Sequence, residues 1–528
     1  MSTTFERRDT ARIMAAVALA ASFTPSLLRR RRRDQAAVTA GAVVLGAGAG
    51  AVTEVAVLRL AERLGSESEA RLAVAGIGAA ATLAELPSSP SDLVAAVGTG
   101  ARVAGIGALL GALAPVRERR EPVDRVALAG AVALGASGWW AWKRTDPRRQ
   151  RPRMTAYPPV GGTFLPTVSG GAGSAVPREG LDFEGTRFLA CAVPAADIRA
   201  LRPDGGPAVD PVRVFVGVGS APTVQERARL AIDELERLGG LDRGRVVVWS
   251  ATLRGFVNPV PLDAEEVLCR GDVASVCVQY WDRPTLAMPF KVPVARDTHR
   301  AVLAELAARL ADRPHRPEVV VYGESLGAWA SQEVFKDGGV AALDAAGVDR
   351  ALWAGTPFFS GLRRAFQKDR VPRDERVALV STRELLDADP AAARALRFAF
   401  LDRRVDPVVL FSGFDVLWRR PEWLDERLHE DGGPDGLRWV PGITFLQLVF
   451  DLLRATRWTS DLPQAAAHDY RVELPLAVNL ALGHHLPPDA AQQLADRLIE
   501  REVARGARLR ALRRGEPDPA SATVPAPG

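Results

Sequence analysis

The first 142 residues carry long apolar runs, and the remainder carries short ones. Runs at 13–28, 36–53, 72–84, 93–114 and 126–142 are rich in Ala, Gly, Val and Leu, with few charges inside them. A helix that crosses a bilayer needs about 20 such residues, with roughly 17 tolerated. The second, fourth and fifth runs meet that length, and the second extends to 58 if Glu54 is accommodated. The pattern predicts an all-α transmembrane bundle of four or five helices over 1–144. From 181 to 486 the pattern changes. Strand-like stretches at 212–218, 246–249, 273–280 and 318–322 alternate with helical periodicity at 222–238 and 296–311. Such alternation predicts a mostly parallel sheet with helices on both faces. Between the two lies 145–180, a Pro- and Gly-rich stretch with little periodicity, read as a linker. After 486 come an Arg-rich amphipathic helix and a tail from 515 that is expected to be disordered, together forming 487–528.

At 528 residues the chain exceeds a single core. Its formal charge of +5 is small for that length, and Arg residues cluster at 29–33 and 143–153, beside apolar runs. That placement fits membrane topology and excludes a nucleic-acid surface, which would interleave aromatics with its cations. If the first run does not cross, the other four cross and return. The basic flanks then share one side, which places the multi-pass chain in the cell membrane with its second domain cytoplasmic. A cleaved signal peptide is disfavoured because Arg29–Arg33 stand where small cleavage-site residues belong. Trp139, Trp140 and Trp142 read as an interfacial anchor. The glycines at 41–50, 76–78 and 98–111 lack a βαβ setting, so they read as close helix packing rather than a dinucleotide loop. Glu54 and Arg102 are charges inside apolar runs and a candidate pair. Three cysteines without a CxxC spacing argue against a disulfide framework or a zinc site. Cys269 and Cys277 read as small buried hydrophobes.

The sharpest signal is Val319-Val320-Val321-Tyr322-Gly323-Glu324-Ser325-Leu326-Gly327, a G-x-S-x-G run between a buried-strand pattern and a helix. A serine on such a bend needs very small neighbours two residues either side, which Gly323 and Gly327 supply. The bend aims the Ser325 hydroxyl above the sheet, and the Leu326 N–H at the helix start is placed to receive an oxyanion. A serine nucleophile needs a base oriented by an acid, in the chain order Ser, acid, His. Asp406, after the strand-like run 395–401, is preferred over Asp402, whose other reading is a salt bridge to Arg403 or Arg404. His468 is preferred over the pair His484-His485, which can instead cap the last helical segment. His429 lies in a charged Gly-rich loop. His299 and His315 precede the serine and read as surface residues. A second oxyanion donor is expected at Gly219-Ser220 or Ala251-Thr252.

These landmarks resemble an actinobacterial family of membrane α/β-hydrolases with an N-terminal multi-helix domain. The resemblance rests on Ser22-Phe23-Thr24-Pro25-Ser26-Leu27-Leu28, Val218-Gly219-Ser220-Ala221-Pro222-Thr223 and Tyr322-Gly323-Glu324-Ser325-Leu326-Gly327. Asp406-Pro407-Val408-Val409, Trp439-Val440-Pro441 with Thr444-Phe445, and His468-Asp469-Tyr470 complete it. It implies an α/β-hydrolase fold and Ser325, Asp406 and His468 as a triad. The expected activity is serine ester hydrolysis of a lipid or other acyl substrate at the bilayer, without metal or organic cofactor. An acyltransferase using the same triad and an inactive membrane scaffold or transport-associated protein are the alternatives.

Overall fold

The computed structural model describes residues 9–83, 92–112, 156–202, 204, 206–252, 254–282, 292–425, 434–455, 463 and 467–520. The chain divides into two compact units, 1–150 with 410–454, and 151–409 with 455–528.

In the first unit four apolar runs are helical, as Thr10–Ala21, Arg32–Leu64, Glu67–Leu83 and Asp92–Ala112. The expected run 126–142 and its tryptophans lie outside the described residues. The first helix is shorter than its apolar run. Ser22 and Thr24 turn their hydroxyls back onto the carbonyls of Leu19 (2.7 Å) and Ala21 (2.8 Å), and Pro25 forbids another turn. The second is longer than its run, at 33 residues. Among the described residues it alone is long and apolar enough to cross a membrane, which is fewer than the four or five spans expected. It passes through Glu54 because that carboxylate is neutralised: Arg71 lies 2.8 Å away and the Thr10 hydroxyl donates to it at 2.5 Å. Arg71, which the sequence pattern did not single out, is a partner of Glu54.

Small residues set how closely these helices approach. A Cβ added at Gly46 would lie 2.4 Å from the Met14 carbonyl oxygen, and one at Gly78 would lie 2.7 Å from the Gly105 Cα. Backbone meets backbone at both places, as the close-packing reading requires. Residues 410–454, expected within the sheet domain, belong to this unit. Their Leu410, Val416, Trp423 and Leu448 form one apolar cluster with Leu27.

The second unit holds seven parallel strands: β1 (Val212–Val216), β2 (Arg245–Ser250), β3 (Val273–Val278), β4 (Glu318–Glu324), β5 (Arg350–Ala354), β6 (Val377–Val380) and β7 (Phe398–Leu401). Their order is β1-β3-β2-β4-β5-β7-β6. Every residue of β1, β2 and β3 is buried, as helices on both faces demand. Helices Val224–Arg237 and Val292–Leu310 pack as one group, and Pro259–Leu268, Leu474–Ala481 and Pro488–Arg514 as another.

Two expected boundaries move. Part of the anticipated linker is bound to the sheet, since the Ser169 N–H donates to the Arg213 carbonyl of β1 at 2.9 Å. The terminal helix also belongs to the core, through Ala491, Leu494, Ala495 and Leu498 on one face. Asp518 pairs with Arg508 at 2.6 Å, so the tail is tethered that far; 521–528 lie outside the described residues.

Candidate active site

β4 runs directly into helix Leu326–Gln332, and Ser325 is the joint. Its φ of 56° and ψ of −125° are unfavourable for any residue with a Cβ. Neighbouring strands hold it there. The Ser325 N–H donates to the Ala354 carbonyl at the end of β5, at 2.9 Å. A Cβ at Gly323 would lie 2.7 Å from the Ala328 Cα, and one at Gly327 would lie 2.3 Å from the Ser250 carbonyl of β2. Neither contact is with a flexible side chain, so both positions require glycine. Leu326 opens the helix, and its N–H therefore has no intrahelical acceptor.

Asp406 is fully buried in the turn beyond β7. Its Oδ1 accepts the Val408 N–H at 2.9 Å. Its Oδ2 lies 2.6 Å from His468 Nδ1 and accepts the Tyr470 hydroxyl at 2.8 Å. The carboxylate thus fixes the tautomer with the proton on Nδ1. His468 Nε2 is buried and has no hydrogen-bond partner among the described residues, so it is not bonded to the Ser325 hydroxyl in this resting geometry. Burial pulls the imidazole pKa down. The charge and hydrogen bond of Asp406 outweigh it, aided by Glu324, and the pKa lies above its ordinary value.

The imidazole sits on Gly355, where a Cβ would come within 2.6 Å of its Cε1. Gly355 immediately follows the Ala354 that anchors Ser325, so one step off the end of β5 separates the serine's anchor from the histidine's seat. Gly355 has φ 58°, which glycine tolerates best. Glu324, also at this edge, is half-buried and takes a hydrogen bond from Asn258 Nδ2 at 2.9 Å. Burial raises its carboxyl pKa despite that bond.

The competing residues are engaged elsewhere. Asp402 is half-buried and accepts from the Thr356 N–H (3.1 Å) and Arg363 Nε (2.6 Å), not from Arg403 or Arg404. Arg403 is drawn to Glu473 and Arg404 to Glu384. His484 lies beside Arg245, the first residue of β2, and so at the opposite end of the sheet from the elbow. His485 follows it in the same turn. His429 lies outside the described residues.

His299 is not a surface residue. It is buried, its Nε2 is 2.7 Å from the Ser250 hydroxyl, and burial lowers its pKa to about 4. His315 is exposed. Of the two oxyanion candidates, Ala251-Thr252 follows β2, which abuts the elbow, whereas Gly219-Ser220 follows β1 on the sheet margin. The Thr252 N–H is already given to the Phe256 carbonyl at 2.8 Å.

Cys191 and Cys277 are buried and Cys269 half-buried; all three are free thiols. Glu265, Cys269 and His484 place ligand atoms within 4.8 Å of one another. Arg245 Nη1 binds both Glu265 (2.6 Å) and His484 (2.9 Å), so a guanidinium occupies the place of a cation.

Tyr470 and Gly355 were not assigned a role from sequence. Tyr470 could have been found as the aromatic hydroxyl two residues past the histidine. Gly355 has no such signal, because β5 itself escapes the pattern.

No curated protein and no solved structure matches the chain. A family model described as alpha/beta-hydrolase family matches residues 212–494, more than half of its length. That span runs from β1 through the elbow, Asp406 and His468, and the chain belongs to the alpha/beta-hydrolase family.

Proposed function

We propose that the protein is a membrane-embedded serine hydrolase that cleaves an ester of a lipid or another acyl-bearing amphiphile. Ser325 attacks the carbonyl carbon while His468 Nε2 takes the hydroxyl proton, and Asp406 steadies the imidazolium. The Leu326 N–H receives the oxyanion. The leaving alcohol departs with the proton from His468, and water, activated by the same base, releases the acyl group.

One observation carries this reading. His468 is locked through Nδ1 onto Asp406 at 2.6 Å, yet its Nε2 is buried without a partner among the described residues, at the same sheet edge as a serine held at positive φ. A buried polar atom left unpaired costs about 1–3 kcal/mol, and backbone strain adds a similar amount. A reaction that uses both gives a reason to keep them. The bilayer is supported by helix Arg32–Leu64 and by exposed Val52, Val55, Leu72, Ile77, Ile106 and Leu109 in the first unit. Arg29–Arg33, at and just before the start of that helix, favour a cytoplasmic N-terminal flank.

A fluorophosphonate probe tests the proposal. Labelling of the wild type and not of Ser325→Ala is the expected result. Equal labelling of both removes Ser325 as nucleophile, and labelling of neither points to a non-catalytic scaffold.

A further inference from the structure

Asp406 Oδ2 serves two donors, and only one of them is the imidazole. Tyr470, fully buried, gives its hydroxyl proton to that oxygen at 2.8 Å and receives the backbone N–H of Arg403 at 3.0 Å. The direction is forced at both ends, because an N–H can only donate and a carboxylate only accept. A chain of donors thus runs from Arg403 through Tyr470 to Asp406, where it meets His468 Nδ1 at 2.6 Å. The Arg403 guanidinium lies 4.9 Å from the centre of the Tyr470 ring and also donates to the Ala467 carbonyl at 3.0 Å, next to the histidine.

We propose that Tyr470 is a positioning residue of the hydrolase reaction: its hydroxyl competes with His468 for Asp406 Oδ2 and limits how strongly the acid draws on the imidazole. This rests on the serine-hydrolase reading above. A tyrosine that only fills space needs no acceptor shared with the candidate base. Burial, then the charges of Asp406 and Asp402, push the Tyr470 phenol well above its ordinary pKa, so it remains a donor wherever histidine titrates.

The other charges around His468 are accounted for. Glu324 faces it from the end of β4 and is held by Asn258. Arg403 is committed to Glu473, and Asp402 to Arg363. On the histidine's own segment Asp469 pairs with Arg471 at 2.6 Å, and Arg471 reaches Glu502 of the terminal helix at 3.2 Å. Tyr470 is the group whose removal changes Asp406 without removing a charge.

In Tyr470→Phe the carboxylate oxygen loses one donor, so it stabilises the imidazolium more than before. The pH at which activity is half-lost on the acid side should therefore rise, by roughly half to one unit. The readout is the rate constant of fluorophosphonate labelling of the full-length chain in detergent micelles, followed across the pH range in which histidine titrates. A raised midpoint is expected. An unchanged midpoint with a lower plateau makes Tyr470 a packing residue and overturns the proposal. If Tyr470→Phe does not fold, 3-fluorotyrosine introduced at 470 alone decides the matter. It has nearly the same shape but a more acidic phenol, so it donates more strongly and the midpoint should fall; an unchanged midpoint again overturns the proposal. Failure of the underlying reading looks different, because the wild type and Ser325→Ala then label alike or not at all, which removes the proposal with its premise.

Discussion

The imidazole of His468 is pulled in two directions, and the sign of the result sets how the proposed activity responds to pH. Burial favours the neutral ring, whereas Asp406 and then Glu324 favour the cation; the cation gains, so the pKa lies above the ordinary histidine value. Only the neutral ring can accept the serine proton. Activity should therefore fall as pH drops through a midpoint above about 6.5. In Asp406→Asn the larger pull toward the cation is lost while burial and the weaker pull of Glu324 remain. Its midpoint should move below about 6.5, and the plateau labelling rate should drop by about 10³- to 10⁴-fold as the tautomer is released. A pH–rate profile of the two proteins checks both, and an unmoved midpoint would mean that Asp406 does not orient the base. The bend at Ser325 was readable from its flanking glycines, and the Asp406–His468 pairing from chain order and the runs around them. The shared oxygen was not, because Tyr470 and His468 meet Asp406 across more than sixty residues of chain.

The elbow is an element-level device, a strand and a helix joined without a loop. Gly327 lies where the helix start presses on the end of β2, 2.3 Å from a Cβ to the Ser250 carbonyl. Gly327→Ala must push the helix off β2. We expect a loss of about 1–3 kcal/mol in the unfolding of the sheet-bearing unit, together with loss of probe labelling. Normal labelling and an unchanged denaturant midpoint would rule out the tight approach. Four strands were legible because their β-branched runs are long and bounded by turn residues. β5 and β6 were not. β5 reads Arg-Ala-Leu-Trp-Ala and β6 only Val-Ala-Leu-Val, both short and set among charged residues, so neither period nor composition separates them from helix. β7 occupies only the end of the strand-like run 395–401, because Pro390–Ala395 before it is helical. Sheet pairing decides such segments: β5 carries the anchor of Ser325, and the residue just beyond it, Gly355, seats His468.

For the molecule as a whole, composition divides the chain more simply than folding does. The apolar N-terminal region recruits residues 410–454, which interrupt the hydrolase sequence between Asp406 and His468. Four helices pack there through glycine contacts and bury a Glu54–Arg71 pair, an arrangement suited to a medium that does not compete for hydrogen bonds. The full-length chain is therefore expected to stay in the membrane pellet after alkaline carbonate extraction of cells that express it. Release into the supernatant would mark the unit as a peripheral helical domain and remove the bilayer from the proposal.

Local sequence determined what depends on neighbours in the chain: the apolar helices, the β-branched strands, the glycine-flanked serine and the order of serine, acid and histidine. It did so because period, turn chemistry and side-chain size act over a few residues. Tertiary structure alone decided which charge neutralises Glu54, where the short strands pair, and that Gly355 seats the imidazole while Tyr470 shares its carboxylate. Those outcomes depend on atoms brought together by packing from distant parts of the chain, and no spacing rule along a single strand or helix encodes them.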